Sequence, residues 1–114
     1  MSNDNVEDAG IASVPYYLVL LLPGDNHAAA AEHFAAHVRF IEEMEAANVV
    51  LLGGAFEAPV GGAEGAYLLH CGSEAEALAW AARDPLIQSG SYRPQVVVWN
   101  LVGVAVGAID AALR

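Results

Sequence analysis

Lysine is absent from this 114-residue chain, and four arginines are its only strongly basic residues. Fourteen acidic residues outnumber them, so the formal net charge is −10. Nucleic acids and anionic lipid surfaces are bound by clustered lysine and arginine, and the sequence therefore argues against both as partners. We interpret the acidity as a solvated surface.

Cysteine and long apolar runs are also scarce. The single cysteine, Cys71, cannot form a disulfide within the chain, which favours a reducing compartment. No apolar run reaches the roughly 18 residues of a membrane-spanning helix. The opening MSNDNVEDAG lacks the basic and apolar regions of a secretory signal. We therefore predict a cytoplasmic protein with no membrane partner.

Short apolar segments and turn signals predict an α+β fold. Residues 16–22 form a brief apolar run that ends at Pro-Gly-Asp, which favours a strand, and residues 28–47 are typical of a helix. A second strand over 49–52 is expected to end at Gly53-Gly54, with the glycine-rich segment 57–65 as a hairpin loop. The remaining predictions are a strand at 66–71, a helix capped by Ser73 and a strand at 92–99.

This order, β-α-β-β-α-β, is the ferredoxin-like sandwich. Two helices cover only one face of such a sheet, yet the first strand and residues 96–99 are apolar on both faces. A second copy would cover the other face, so we predict a homodimer. Residues 1–14 are expected to be a flexible acidic leader, 15–100 the folded domain and 101–114 an apolar C-terminal extension.

His37 and Asp84 are the candidate catalytic residues. Phe34, Val38, Ile41 and Met44 recur at helical spacing, and His37 lies at the border of this apolar face. Asp84 precedes a proline at the end of the second helix, on the same side of the predicted sheet. An imidazole oriented by a carboxylate can move a proton near neutral pH. The alternatives are a half-buried structural histidine and a helix-ending Asp-Pro.

Four further residues are candidates for substrate binding. Ser91 and Tyr92 follow the Asp-Pro turn, His70 could point into a cavity from its strand, and His33 lies one helical turn before His37. His33 and His37 could face one metal ion, but no third ligand occurs at a recognised spacing. We therefore predict neither a metal nor a cofactor.

From residue 16 to residue 99 the chain resembles the YCII-related (YciI-like) family of dimeric α/β-barrel proteins. The resemblance rests on His37, on Gly53-Gly54, on Ser73 with its acidic helix, and most specifically on Asp84-Pro85 followed by Gly90 and Tyr92. It implies an active-site pair of histidine and aspartate, and one branch of the family includes a dehydrochlorinase of a chlorinated hydroxyquinol.

This chain departs from the family pattern at two places. Gly54-Ala55 stands where the family often has Gly-Pro. Phe34 and His33 stand where it often has an arginine, which removes the anion contact that such an arginine would make.

Three functions are compatible with the sequence. The first is a cofactor-free lyase or isomerase, dehydrochlorinase-like or cyclase-like, that uses acid–base chemistry on an aromatic or polyketide-like small molecule. The second is a non-catalytic dimer that binds a ligand or another protein. The third is a haem- or oxygen-handling relative with an axial histidine, because proteins of similar fold include such members.

Overall fold

A computed structural model describes residues 14–103 of the chain. Within it, residues 16–99 form one compact unit. Residues 1–13 of the predicted leader and 104–114 of the predicted extension lie outside the described residues. The strands are β1 (Val14–Pro23), β2 (Val50–Val60), β3 (Ala63–Leu69) and β4 (Tyr92–Leu101). The helices are α1 (Ala30–Ala46), α2 (Glu74–Ala81) and the single-turn α3 (Pro85–Gln88).

The four strands form one antiparallel sheet in the order β2-β3-β1-β4. Val19 of β1 lies opposite Tyr67 of β3, and Tyr67 in turn lies opposite Gly53 of β2. With the helices placed between strands as expected, this confirms the predicted ferredoxin-like α+β fold. Pro94 lacks an N–H to donate, and its strand β4 occupies an edge of the sheet, where such a loss is tolerated.

The core lies between one face of the sheet and the helices. Alternate residues of β1, among them the fully buried Val19, pack with Phe40 and Met44 of α1 and with Ala77 and Ala81 of α2. This tight contact uses alanines on α2 because small side chains allow a helix to approach a sheet closely.

The prediction of which face of α1 is buried is wrong: the buried face is rotated slightly about the helix axis from the predicted one. Phe34 is 57% exposed and Val38 is 37% exposed, although both were expected to be buried. The face that packs inward instead contains residues 37, 40, 41 and 44, which also repeat at helical spacing. His37 therefore lies on the inward face of α1 and not at its border, and its side chain is only 13% exposed.

The predicted end of the second strand is also wrong. β2 continues through the glycine pair to Val60, and the turn is confined to Gly61 and Gly62, whose φ angles are +58° and +87°. A Cβ on Gly53 would lie 2.9 Å from the Cβ of Tyr67 on the neighbouring strand. Gly53 therefore permits a close approach inside a continuing strand, whereas Gly61 and Gly62 supply the left-handed conformation of a tight hairpin.

Two glycines on the neighbouring strands β2 and β3 provide a test of this packing. A Cβ on Gly65 would lie 2.8 Å from the carbonyl oxygen of Gly54, whereas a Cβ on Gly54 would meet no atom within 4 Å. We expect Gly65→Ala to destabilise the fold by about 1–3 kcal/mol, because the obstructing atom is backbone. Gly54→Ala is the matched control and should be neutral or slightly stabilising. Chemical denaturation measures both, and equal stabilities of the two variants would contradict the register of β2 and β3.

Candidate active site

Asp84 is placed by the short helix that follows it. Pro85 occupies the first turn of α3, and the backbone of Asp84 before it is extended. The Asp84 carboxylate accepts a hydrogen bond from the N–H of Leu86 at 2.9 Å. This is an N-cap, reinforced by a proline whose missing N–H costs the first turn nothing. The expectation that Asp84 ends the second helix is corrected: α2 ends at Ala81, and Asp84 begins α3.

The Asp84 side chain is fully buried and is surrounded by hydrogen-bond donors. His37 Nδ1 lies 2.9 Å from Oδ1 and 3.0 Å from Oδ2, and the Tyr67 hydroxyl donates to Oδ2 at 3.1 Å. A buried carboxylate is tolerated as an anion when donors of this kind satisfy its oxygens. An ionised Asp84 requires that His37 Nδ1 carry a hydrogen, so Nε2 of the neutral ring is the acceptor.

Tyr67 is the third member of this group, and the sequence indicated no site role for it. Burial, and next the charge of Asp84, raise the pKa of Tyr67. Its phenol therefore remains protonated and acts as a donor throughout the neutral range. One signal was present: a tyrosine within an apolar strand needs a partner for its hydroxyl when it is buried.

A cavity of about 510 Å³ opens beside this group. Its volume falls within the range of roughly 300–1,000 Å³ that is typical of small-molecule sites. His37 and Tyr67 line it next to side chains from α1, α3 and the sheet. The larger apolar lining residues are Leu21, Phe34, Val38, Ile41 and Leu86. Phe34 and Val38, which are exposed on α1, thus both line this cavity.

A second polar group consists of Glu64, Tyr92 and His27, of which Glu64 and Tyr92 line the same cavity. The Tyr92 hydroxyl donates to Glu64 Oε1 at 2.6 Å, and His27 Nε2 lies 3.0 Å from the same oxygen. These hydrogen bonds, that of Tyr92 first, lower the pKa of Glu64, while burial and then Glu64 raise the pKa of Tyr92 to about 12. At neutral pH the cavity therefore holds a Glu64 carboxylate and a protonated Tyr92 phenol.

The candidate substrate-binding residues occupy different environments. Tyr92 lines the cavity. Ser91 is fully buried, and its hydroxyl lies 2.8 Å from that of Ser89. His33 lies 3.8 Å from its neighbour Glu32, and His70 stacks on Tyr16 with 5.1 Å between ring centroids. The described structure thus brings His37 to Asp84 and leaves Ser91, His33 and His70 outside the lining of the cavity.

Two negative findings apply to residues 14–103 alone. No group of three or more His, Cys, Asp or Glu side chains there is arranged to hold a metal ion. No helix in that part of the chain is both long and apolar enough to cross a membrane.

The fold and the site define a small α+β protein with a ferredoxin-like sheet and a buried His–Asp pair beside a cavity. Residues 16–100 match the sequence model of the YCII-related domain, and the chain therefore belongs to the YCII-related family. It is 31% identical over 85 residues to YjpA of Bacillus subtilis (strain 168), a match that covers 75% of this chain and 96% of YjpA.

A solved structure has a similar fold. It is the 5-chloro-2-hydroxyhydroquinone dehydrochlorinase TftG from Burkholderia phenoliruptrix AC1100 in complex with 2,5-dihydroxybenzoquinone. The TM-score is 0.57 at 17% sequence identity, and the match covers 75% of this chain and 93% of that one. The predicted family and the predicted fold are both confirmed by these similarities.

The hydrogen bond from Tyr67 to Asp84 can be tested by stability measurements. Tyr67→Phe removes one donor from a buried carboxylate, so we expect a loss of about 1.5–3 kcal/mol in the free energy of unfolding. Tyr17→Phe is the matched control, because Tyr17 is also buried and its hydroxyl has no hydrogen bond to the described residues. Denaturant titrations at neutral pH give both values, and a Tyr67→Phe loss no larger than that of the control would refute the bond.

Proposed function

We propose that the protein is a cofactor-free enzyme that transfers a proton in an elimination, isomerisation or cyclisation of an aromatic or polyketide-like small molecule. His37 is the acid–base group and Asp84 is its positioning residue. The observation that supports this most strongly is the His37 ring, which bonds Asp84 through Nδ1 and lines a ligand-sized cavity. No described residue forms a hydrogen bond with Nε2, which is thus available to a substrate.

The proposed step begins with the neutral imidazole as a base. Nε2 takes a proton from a carbon or hydroxyl of the substrate, and the electrons of the broken bond form a new double bond. In an elimination, the leaving group departs with the electrons of its own bond, and His37 later returns the proton to solvent. The ionised Asp84 stabilises the imidazolium that forms, and its two oxygens hold the ring plane in place. This sequence requires no oxidant.

The comparison with TftG is compatible with this chemistry. Its name describes a dehydrochlorinase, and the loss of hydrogen chloride is an elimination. At 17% identity the likeness is one of fold, so the choice among elimination, isomerisation and cyclisation rests on experiment. Chlorinated hydroxyhydroquinones are therefore the first substrates to test.

Catalysis by His37 is tested by proton exchange and chloride release. The purified protein is incubated in deuterated buffer with a panel of chlorinated hydroxyhydroquinones and enolisable aromatic ketones. NMR records deuterium incorporation and ion chromatography records free chloride. We expect His37→Ala to lower the rate about 10²–10⁴-fold, which is the usual effect of losing an acid–base group. Asp84→Asn should lower it less, because the ring remains present.

His33→Ala is the control for that experiment. His33 lies one turn before His37 on α1 but does not line the cavity, so its replacement should leave the rate unchanged. Circular dichroism confirms that each variant is folded. A fully active His37→Ala variant would contradict the proposal and favour a ligand-binding protein without catalysis.

We also propose that the protein is a homodimer. Both edge strands carry exposed apolar side chains: Leu52, Phe56 and Val60 on β2, and Val97, Val98 and Trp99 on β4. Exposed apolar surface of this kind on strands is typical of an interface, and an identical chain presents the matching surface.

Light scattering at micromolar concentration tests the dimer. We expect a mass of two chains, and Trp99→Glu should shift it toward one chain because a charge would then have to be buried at the interface. Gln88→Glu adds the same charge at an exposed position of α3, outside both edge strands, and provides the control. A mass of one chain for the unmodified protein would exclude the dimer under these conditions.

A further inference from the structure

Among residues 14–103, those that line the cavity include three glutamates and neither lysine nor arginine. Glu42 and Glu45 line it from α1, and Glu64 lines it from β3. No arginine side chain is among the described residues of the lining. An anionic ligand would therefore enter a site that offers three carboxylates and no guanidinium.

Glu64 differs from the other two carboxylates because it is held in place. Tyr92 and His27 both bond its Oε1, so the orientation of the carboxylate is fixed. Among the described residues, none forms a hydrogen bond with Oε2. The side chain is 34% exposed and lines the cavity, so this second oxygen can accept a hydrogen bond from a bound molecule. Donor and acceptor positions that are fixed before binding lose little entropy when a ligand arrives.

The remaining lining sets the shape of what can bind. The side chains of Leu21, Ile41 and Leu86 are apolar, and the Phe34 ring lies 5.8 Å from the His37 ring. An aromatic ring fits such a surface, with polar groups directed to His37 and to Glu64. A ligand with two polar substituents on one ring meets both requirements.

We propose that Glu64 is a specificity-determining residue that accepts a hydrogen bond from a hydroxyl or ammonium group, so that the cavity selects uncharged or cationic aromatic ligands over anionic ones. This inference rests on the proposed function in one respect: it takes the bound ligand to be the substrate. Tyr92 and His27 are positioning residues for Glu64. The selection by charge does not depend on whether His37 catalyses a reaction.

Three probes that share one ring test the selection. Hydroquinone is neutral, 2,5-dihydroxybenzylamine carries an ammonium group and 2,5-dihydroxybenzoate carries a carboxylate. Each is titrated into the ¹⁵N-labelled full-length protein at neutral pH up to millimolar concentration. Shifts of the amides of Gly53, Gly65 and Tyr67 report on the cavity. We expect the amine and hydroquinone to bind at least about tenfold more tightly than the benzoate, which is the effect of roughly one charge-assisted hydrogen bond.

Two variants that each remove one negative charge test which residue causes the selection of ligands by charge. Glu64→Gln should reduce the affinity for the amine about tenfold and bring the three probes within about threefold of one another. Glu43→Gln removes the same charge from an exposed position of α1 outside the cavity, and should leave the affinities unchanged. Equal effects of the two variants would overturn the role of Glu64.

The remaining outcomes separate this inference from the proposed catalysis. Tight binding of the benzoate, or no shift with any probe, would overturn the inference about charge. Retention of the same ranking in His37→Ala would support it, even if that variant proved fully active and the catalytic role of His37 failed. If His37→Ala lost the order of affinities for the three probes while Glu64→Gln kept it, the selection by charge would belong to His37. That result would overturn the inference.

Discussion

The structure depends on one buried charge. The Asp84 carboxylate is removed from water, so its oxygens must be satisfied by donors from within the protein. Those donors come from three separate elements: the first turn of α3, the strand β3 through Tyr67, and the helix α1 through His37. The carboxylate therefore joins parts of the chain that are far apart in sequence. Misplacing any one of them would leave a charge without its partners, which is among the costly errors in a protein interior.

The same bonds that satisfy Asp84 also prepare His37. A ring that donates from Nδ1 to a fixed carboxylate has one available tautomer and a restricted orientation, and its other nitrogen has no hydrogen bond to the described residues. The helix cap at Leu86 keeps the carboxylate from turning toward a different partner. Stability and preparation of the site thus use the same atoms, and a substitution at Asp84 affects both.

The His37–Asp84 pair could be predicted because the resemblance to the YCII-related family implies it, and each residue also has a local signal. Helical spacing places His37 near the core, and Asp-Pro marks a helix boundary. The contact of Glu64 with Tyr92 had no such signal, because it depends on strand register across 28 residues. Gly53 was misread as a strand end because a glycine chosen for close approach and a glycine chosen for a turn look alike in sequence. Only the neighbouring Tyr67 distinguishes them.

One wall of the cavity consists of very small residues: Gly53, Gly54, Ala55, Gly65 and Ala66. Main chain forms most of this wall, so no substitution there can make the cavity appreciably larger. Gly53 and Gly65 resist even a methyl group because of the neighbouring strand. Related proteins that keep this sheet could therefore change their ligand in one direction only, from larger to smaller molecules. Ala55 lies opposite Gly65 and so shares the sheet face of Tyr67, which makes it the position at which a larger side chain would narrow the site.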